Sequence, residues 1–202
     1  VRVLRRTEGL FGETQFIAAK ADGRIERSNA STRALVVLGD SISAGYGIEG
    51  LDRTCGFSPD TENQYLTYAA RAARALGADI TTLAVSGRGL VRNYDGGSDE
   101  TMSEIYRRAL PTFREPMSEQ FLGQADVVVV HLGTNDFSNG GRPPEFVDAY
   151  VKLLKDIRSR NADTEFILAE GPMLGGDDAE AFREAVERVR QQINRTDAKG
   201  AT

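Results

Sequence analysis

Residues 35–47 read LVVLGDSISAGYG, and the fold turns on how that stretch is parsed. Leu35 to Leu38 form an uninterrupted aliphatic run too short for a helix, and Gly39-Asp40-Ser41 stops it with small and polar residues. A run of this kind is what a strand covered on both faces requires. Two more follow: Ile80 to Val85, ending at Ser86-Gly87-Arg88-Gly89, and Val127 to Leu132, ending at Gly133-Thr134-Asn135-Asp136. Phe166 to Ala169 makes a fourth.

Helical patterns separate these runs. Ser58-Pro59-Asp60 offers an N-cap with proline at the first helical position, and Tyr65, Ala69, Ala72 and Leu76 then recur at helical spacing up to Gly77. Glu62 and Asn63 read as capping residues of that helix. Ser98 to Leu110 is expected to be helical, with Pro111 stopping it. Pro143-Pro144 open a helix striped by Phe146, Tyr150, Leu153, Leu154 and Ile157, and Phe182, Ala185, Val186, Val189 and Ile193 mark a last amphipathic face. Strand and helix alternating in this way predict an α/β fold, a three-layer α/β/α arrangement around a central parallel sheet. The last helix is expected to feed another parallel strand, because its apolar face needs sheet to cover. Before Arg33 the pattern is short and irregular, with strands expected at Val3–Leu4, Thr14–Ala18 and Ile25–Arg27 between glycine turns. Residues 1–32 therefore read as the end of an all-β module, and 33–202 as a second unit.

Composition narrows the function. In 202 residues, 40% of them hydrophobic, there is material for one substantial core. A formal net charge of −5 gives no general attraction to phosphate backbones or anionic lipid, so neither a nucleic-acid nor a membrane partner is expected. Cys55 is the only cysteine, which excludes an internal disulfide and a multi-thiolate metal site. Glu170, Asp177 and Asp178 show no metal-ligand spacing with histidine, and neither a metal nor an organic cofactor is expected. GDSISAGYG lacks the lysine of a phosphate-binding P-loop, and SGRGL lacks the third glycine of the dinucleotide fingerprint. The opening VRVLRRTEGLFGE has no signal-peptide core, and a sequence that starts without methionine leaves any upstream leader open.

The three strand-end loops carry the chemistry. Ligands of open parallel sheets bind beyond the carboxyl ends of the strands, where GDSISAGYG (39–47), SGRGL (86–90) and GTNDFS (133–138) all fall. Ser41, just past its strand, is the candidate nucleophile for an acyl carbon, and the resulting oxyanion needs donors fixed in advance. The backbone N–H of Ser41, that of Gly87 and the side-chain amide of Asn135 are the candidates. Asp40 reads as a turn-fixing carboxylate rather than a catalytic acid. Arg88, Asn93 and Tyr94 are candidate sugar contacts, balanced against an ordinary solvated loop.

GDSISAGYG, the glycine of AVSGRGL (84–90) and GTND (133–136) resemble blocks one, two and three of the SGNH, or GDSL-type, hydrolases, whose fold is flavodoxin-like. More narrowly, ENQYLTYAARAARALGAD (62–79), SGRGLVRNYDG (86–96) and LGTNDFS (132–138), followed by PPEF and AY, resemble carbohydrate esterase family two. That resemblance implies a deacetylase acting on acetylated plant polysaccharide such as xylan, secreted or at a bacterial cell surface, with a β-sandwich before the hydrolase domain. It implies Ser41 as nucleophile and Ser41, Gly87 and Asn135 as oxyanion donors. An SGNH lipase or lysophospholipase, and a non-catalytic carbohydrate-binding relative, are the alternatives.

One departure from the pattern is large. The superfamily's Asp-x-x-His block is absent, and the single histidine, His131, lies in the third apolar run. Four residues before Asn135, it is expected roughly 13 Å below the sheet edge, at ~3.3 Å per residue, as a core residue satisfied by nearby backbone. The catalytic histidine is thus expected outside these 202 residues, and the chain as an inactive fragment.

Overall fold

The computed structural model describes residues 3–26, 31–108, 110–111, 122–197 and 199–202. In chain order the regular elements are β1 (Ala34–Gly39), α1 (Ser41–Ala44), α2 (Tyr68–Leu76), β2 (Asp79–Ala84), α3 (Met102–Ile105), β3 (Val127–His131), α4 (Thr134–Phe137), α5 (Phe146–Arg160), β4 (Glu165–Leu168) and α6 (Gly176–Thr196). The strands form one parallel sheet in the order β2-β1-β3-β4.

The continuous apolar run of β1 is explained by its two neighbours in depth. Val36 and Leu38 face a large core with Val128, Val130, Phe146 and Val189, whereas Leu35 and Val37 face a smaller one with Ala69 and Ala73 of α2. Helices α5 and α6 cover the first face and α2 the second, which gives three layers. The stripes expected on α5 and α6 are all buried.

Register positions the functional end. Gly39 pairs with Ala84 on one side and His131 on the other, so β1, β2 and β3 end level. Their following loops start from one plane. Beyond α6, the Thr202 N–H donates to Phe166 O at 3.1 Å and the Leu168 N–H to Thr202 O at 2.7 Å. Thr202 therefore sits beside β4 in parallel pairing, where a fifth strand was expected.

Several local expectations are corrected. Ser58-Pro59-Asp60 makes a turn, and α2 begins ten residues later, capped by the Thr67 side chain on the Ala70 N–H at 3.3 Å. The buried side of α2 is Ala69, Ala70 and Ala73, while Ala72 and Leu76 are exposed. The helix expected at 98–110 is the single turn α3; Ala109 is outside the described residues. Residues 3–26 contain one short 3-10 turn, Gly9–Phe11, and no strand, so the strands expected there are not formed; Arg27 is outside the described residues.

Gly133 is one of several glycines with no room for a side chain. Gly133 closes β3 with φ +132°, and a Cβ there would lie 2.0 Å from the ring of Phe182 in the aromatic cluster with Phe137 and Phe146. Gly133→Ala combines a backbone conformation closed to alanine with overpacking, for an expected loss of about 3 kcal/mol. Thermal unfolding should shift down by about 6–12 °C.

Candidate active site

Ser41 is presented by a turn that its neighbours lock. The Asp40 carboxylate accepts from the Ile42 N–H at 3.0 Å, and its carbonyl accepts from the N–H groups of Ser43 and Ala44. A side chain at Gly39 would collide with Ser43 Oγ at 2.2 Å, and Gly45 ends the turn with φ +96°. Half-buried, Ser41 has a hydroxyl and a backbone N–H that are without hydrogen-bond partners among the described residues.

Asn135 draws the three loops together. Its amide donates to Arg88 O at 2.8 Å and approaches Asp40 Oδ2 at 3.4 Å, so it touches the residue before Ser41 and the residue after Gly87. Gly87 adopts φ +77°, open only to glycine at low cost, and nothing packs where its Cβ would be. Its N–H has no partner among the described residues. The adjacent Asp136 is fully buried and accepts from the N–H groups of Leu90, Val91 and Arg92 at 2.8, 2.8 and 2.9 Å. A Cβ at Gly89 would meet that carboxylate at 2.6 Å. Consecutive residues of one loop thus brace the other two.

Burial sets the electrostatics. It pushes the Asp40 carboxyl up to about 7, against the Ile42 N–H, and the charge of Asp136 pushes further upward. Burial raises Asp136 also, against its three backbone donors. Neither carboxylate contacts the Ser41 hydroxyl, so both act on loop geometry.

His131 lies higher in the sheet than expected, level with Gly39 as the last residue of β3. Its partner is a side chain, not backbone: Nδ1 is 3.0 Å from the Tyr68 hydroxyl, which is also 3.0 Å from Ser43 Oγ. Burial holds its imidazole down at about 4, so it is neutral at neutral pH, and the buried Nε2 has no hydrogen-bond partner among the described residues. No hydrogen bond joins it to Ser41 among the described residues. Tyr68, unforeseen in the sequence, is the first residue of α2 and is pushed up to about 12 by burial.

The candidate sugar contacts divide. Arg88 donates to Asp99 O at 2.9 Å and lies 3.8 Å from Glu100. Asn93 is buried with both ends engaged, accepting from the Gly89 N–H and donating to Asp99 O, so it shapes the loop. Tyr94 is 61% exposed, with its backbone N–H on Gly87 O. Glu62 is no helix cap: it is fully buried and accepts from the Glu8 N–H at 2.6 Å, while Asn63 caps the 3-10 turn Gln64–Leu66.

Comparison with known proteins places this geometry. The GDSL-like Lipase/Acylhydrolase family pattern matches residues 37–201. The chain is 35% identical over 197 residues to the cellulase/esterase CelE of Acetivibrio thermocellus, covering 95% of this chain and 24% of that protein. It is 27% identical over 209 residues to an acetylxylan esterase / glucomannan deacetylase of Cellvibrio japonicus, covering 96% and 55% respectively. Among solved structures, a family two carbohydrate esterase from Clostridium thermocellum in complex with cellohexaose superposes with TM-score 0.81 at 34% identity, over 88% of this chain and 55% of that one. The chain therefore spans between a quarter and about half of the length of these relatives.

Proposed function

Because this chain belongs to the GDSL-like lipase/acylhydrolase family, we propose that it is most of the catalytic domain of a serine esterase that removes acetyl groups from carbohydrate, plant cell-wall polysaccharide such as xylan being the substrate class. The observation that carries the reading is the Asn135 amide, held at Arg88 O and beside Asp40, between the loops of Ser41 and Gly87. In the reaction Ser41 Oγ attacks the acetyl carbon. The N–H groups of Ser41 and Gly87 receive the oxyanion, joined by the Asn135 N–H that otherwise points to Asp40 Oδ2 at 3.4 Å, the sugar hydroxyl departs with the serine proton, and water then releases acetate. His131 is committed to Tyr68, so the reading assigns proton transfer to a histidine outside these 202 residues. Tyr94 and Arg88 are the sugar contacts it favours. It also assigns residues 1–32 to a segment that precedes the hydrolase domain, supported by the change to regular strand–helix alternation at residue 33.

An apolar cleft of ≈ 500 Å³ beside the nucleophile turn, lined by Ile42, Tyr46, Ile48, Tyr68 and Met173, favours a second reading, an esterase for longer acyl chains. Acetate release from acetylated xylan by the full-length gene product, set against hydrolysis of aryl esters of increasing chain length, decides between them. The deacetylase reading expects acetyl to be fastest and Asn135→Ala to lower kcat by about a hundredfold or more with the fold intact. An optimum at long chains supports the second reading, and an unchanged kcat removes Asn135 from the oxyanion site.

A further inference from the structure

We infer that the segment preceding the hydrolase domain is part of its acyl-binding machinery: Glu8 is a positioning residue that holds the Ser86–Gly87 backbone, and the buried Glu62 carboxyl that receives the Glu8 N–H makes that hold depend on pH. The inference rests on the proposed role of the Gly87 N–H as an oxyanion donor.

Glu8 Oε2 accepts from the Ser86 N–H at 2.7 Å, across 78 positions of sequence. Ser86 immediately precedes Gly87, so this bond fixes the peptide leading into the free Gly87 N–H. The Glu8 backbone N–H donates to Glu62 Oε1 at 2.6 Å, which fastens the same residue to the loop after α1. Both side chains are buried, and the remaining oxygens, Glu8 Oε1 and Glu62 Oε2, have no donor among the described residues. Two adjacent buried carboxyls with leftover oxygens are stable together when one keeps a proton.

No nearby cation removes the need for that proton. Arg5 exerts a modest pull on Glu62, but its guanidinium donates to the carbonyls of Thr7, Glu8 and Gly12. Arg6 is engaged by Glu49 and by the carbonyls of Pro59 and Asp60. Across the site, Arg88 turns to Asp99 O and Glu100. Burial, with the charge of Glu8 adding to it, raises the Glu62 carboxyl to about 7. The sign follows: the contribution to docking is full below the unfolded-state value of 4.5 and is lost as pH rises through about 7, when two like charges face each other.

A second contact ties the same segment to the nucleophile loop. Phe11 lies 5.2 Å from Phe57, which stacks at 5.5 Å on Tyr46 of the GDSISAGYG stretch. The segment thus grips the loops of both Ser41 and Gly87.

The test uses the full-length gene product with two readouts, amide hydrogen exchange at Ser86 and affinity for phenylboronic acid, a tetrahedral adduct former at Ser41. Glu8→Ala should lower Ser86 protection and boronate affinity about tenfold each, whereas Glu8→Gln, which keeps an acceptor, should restore both to near wild type. Wild-type Ser86 protection should fall between about pH 4.5 and about pH 7, and Glu62→Gln should flatten that profile. Unchanged boronate affinity in Glu8→Ala, or a pH profile that survives Glu62→Gln, overturns the inference. A wild-type chain that binds no boronate at Ser41 overturns the esterase reading beneath it, which a loss confined to the Glu8 variants does not.

Discussion

Ser41→Ala in the full-length gene product is expected to lower kcat for acetate release by roughly ten-thousand-fold or more, while KM and thermal stability stay close to wild type. The size follows from the chemistry assigned to the residue: without a nucleophile the acyl-enzyme route is closed, and what remains is whatever the oxyanion donors give to direct attack by water. Stability should hold because the Ser41 hydroxyl has no partner among the described residues and the turn is fastened by Asp40. The 202-residue chain is expected to sit near the same floor with its serine intact, since its one histidine is bonded to Tyr68. Turnover by the 202-residue chain that Ser41→Ala abolishes would mean that a base other than a histidine outside it serves Ser41. Turnover by the full-length protein that survives the substitution would remove Ser41 as nucleophile.

The largest expected effect on stability belongs to Asp136→Ala. That carboxylate accepts three consecutive backbone N–H groups in a fully buried position, and alanine would leave all three without an acceptor. With ~1–3 kcal/mol for each stranded donor, offset by local relaxation and entering water, the net loss should be about 4 kcal/mol. In a domain of this size that lowers the melting temperature by about 8–16 °C. Asp136→Asn should fall between, because its remaining oxygen can serve Val91 and Arg92 while its amide faces the Leu90 N–H. Calorimetry on the three proteins checks the order. Near-equal melting temperatures would show that the loop re-forms its bonds elsewhere.

What the sequence made legible is what repeats. The apolar run Leu35–Leu38 reports burial on two faces, the α5 and α6 stripes report burial on one, and glycine with small polar residues marks each strand end. These patterns carried the sheet, its layers and the cluster of Ser41, Gly87 and Asn135. The α2 start was misread because a Ser-Pro-Asp turn and a helix N-terminus share the same residue chemistry. Glu8 and Glu62 were beyond reach for another reason: one carboxylate bonds a residue 54 positions away in sequence and the other 78, and no local period encodes a single long-range bond. Tyr68 was hidden likewise, since its hydroxyl has meaning only beside His131 and Ser43.

The level ending of β1, β2 and β3 has a bearing on how such a protein diversifies. Each strand delivers its proposed catalytic residue within four positions of its last residue, Ser41 after Gly39, Gly87 after Ala84 and Asn135 after His131. The loop after Gly87 is bonded back to that end, with the Tyr94 N–H on Gly87 O, the Met102 N–H on Gly89 O and the N–H groups of Leu90, Val91 and Arg92 on Asp136, so it is not free to be exchanged without moving the Gly87 N–H. The mostly exposed stretch 51–56 after the nucleophile turn is the place left where length can vary while the level ends of the three strands stay as they are.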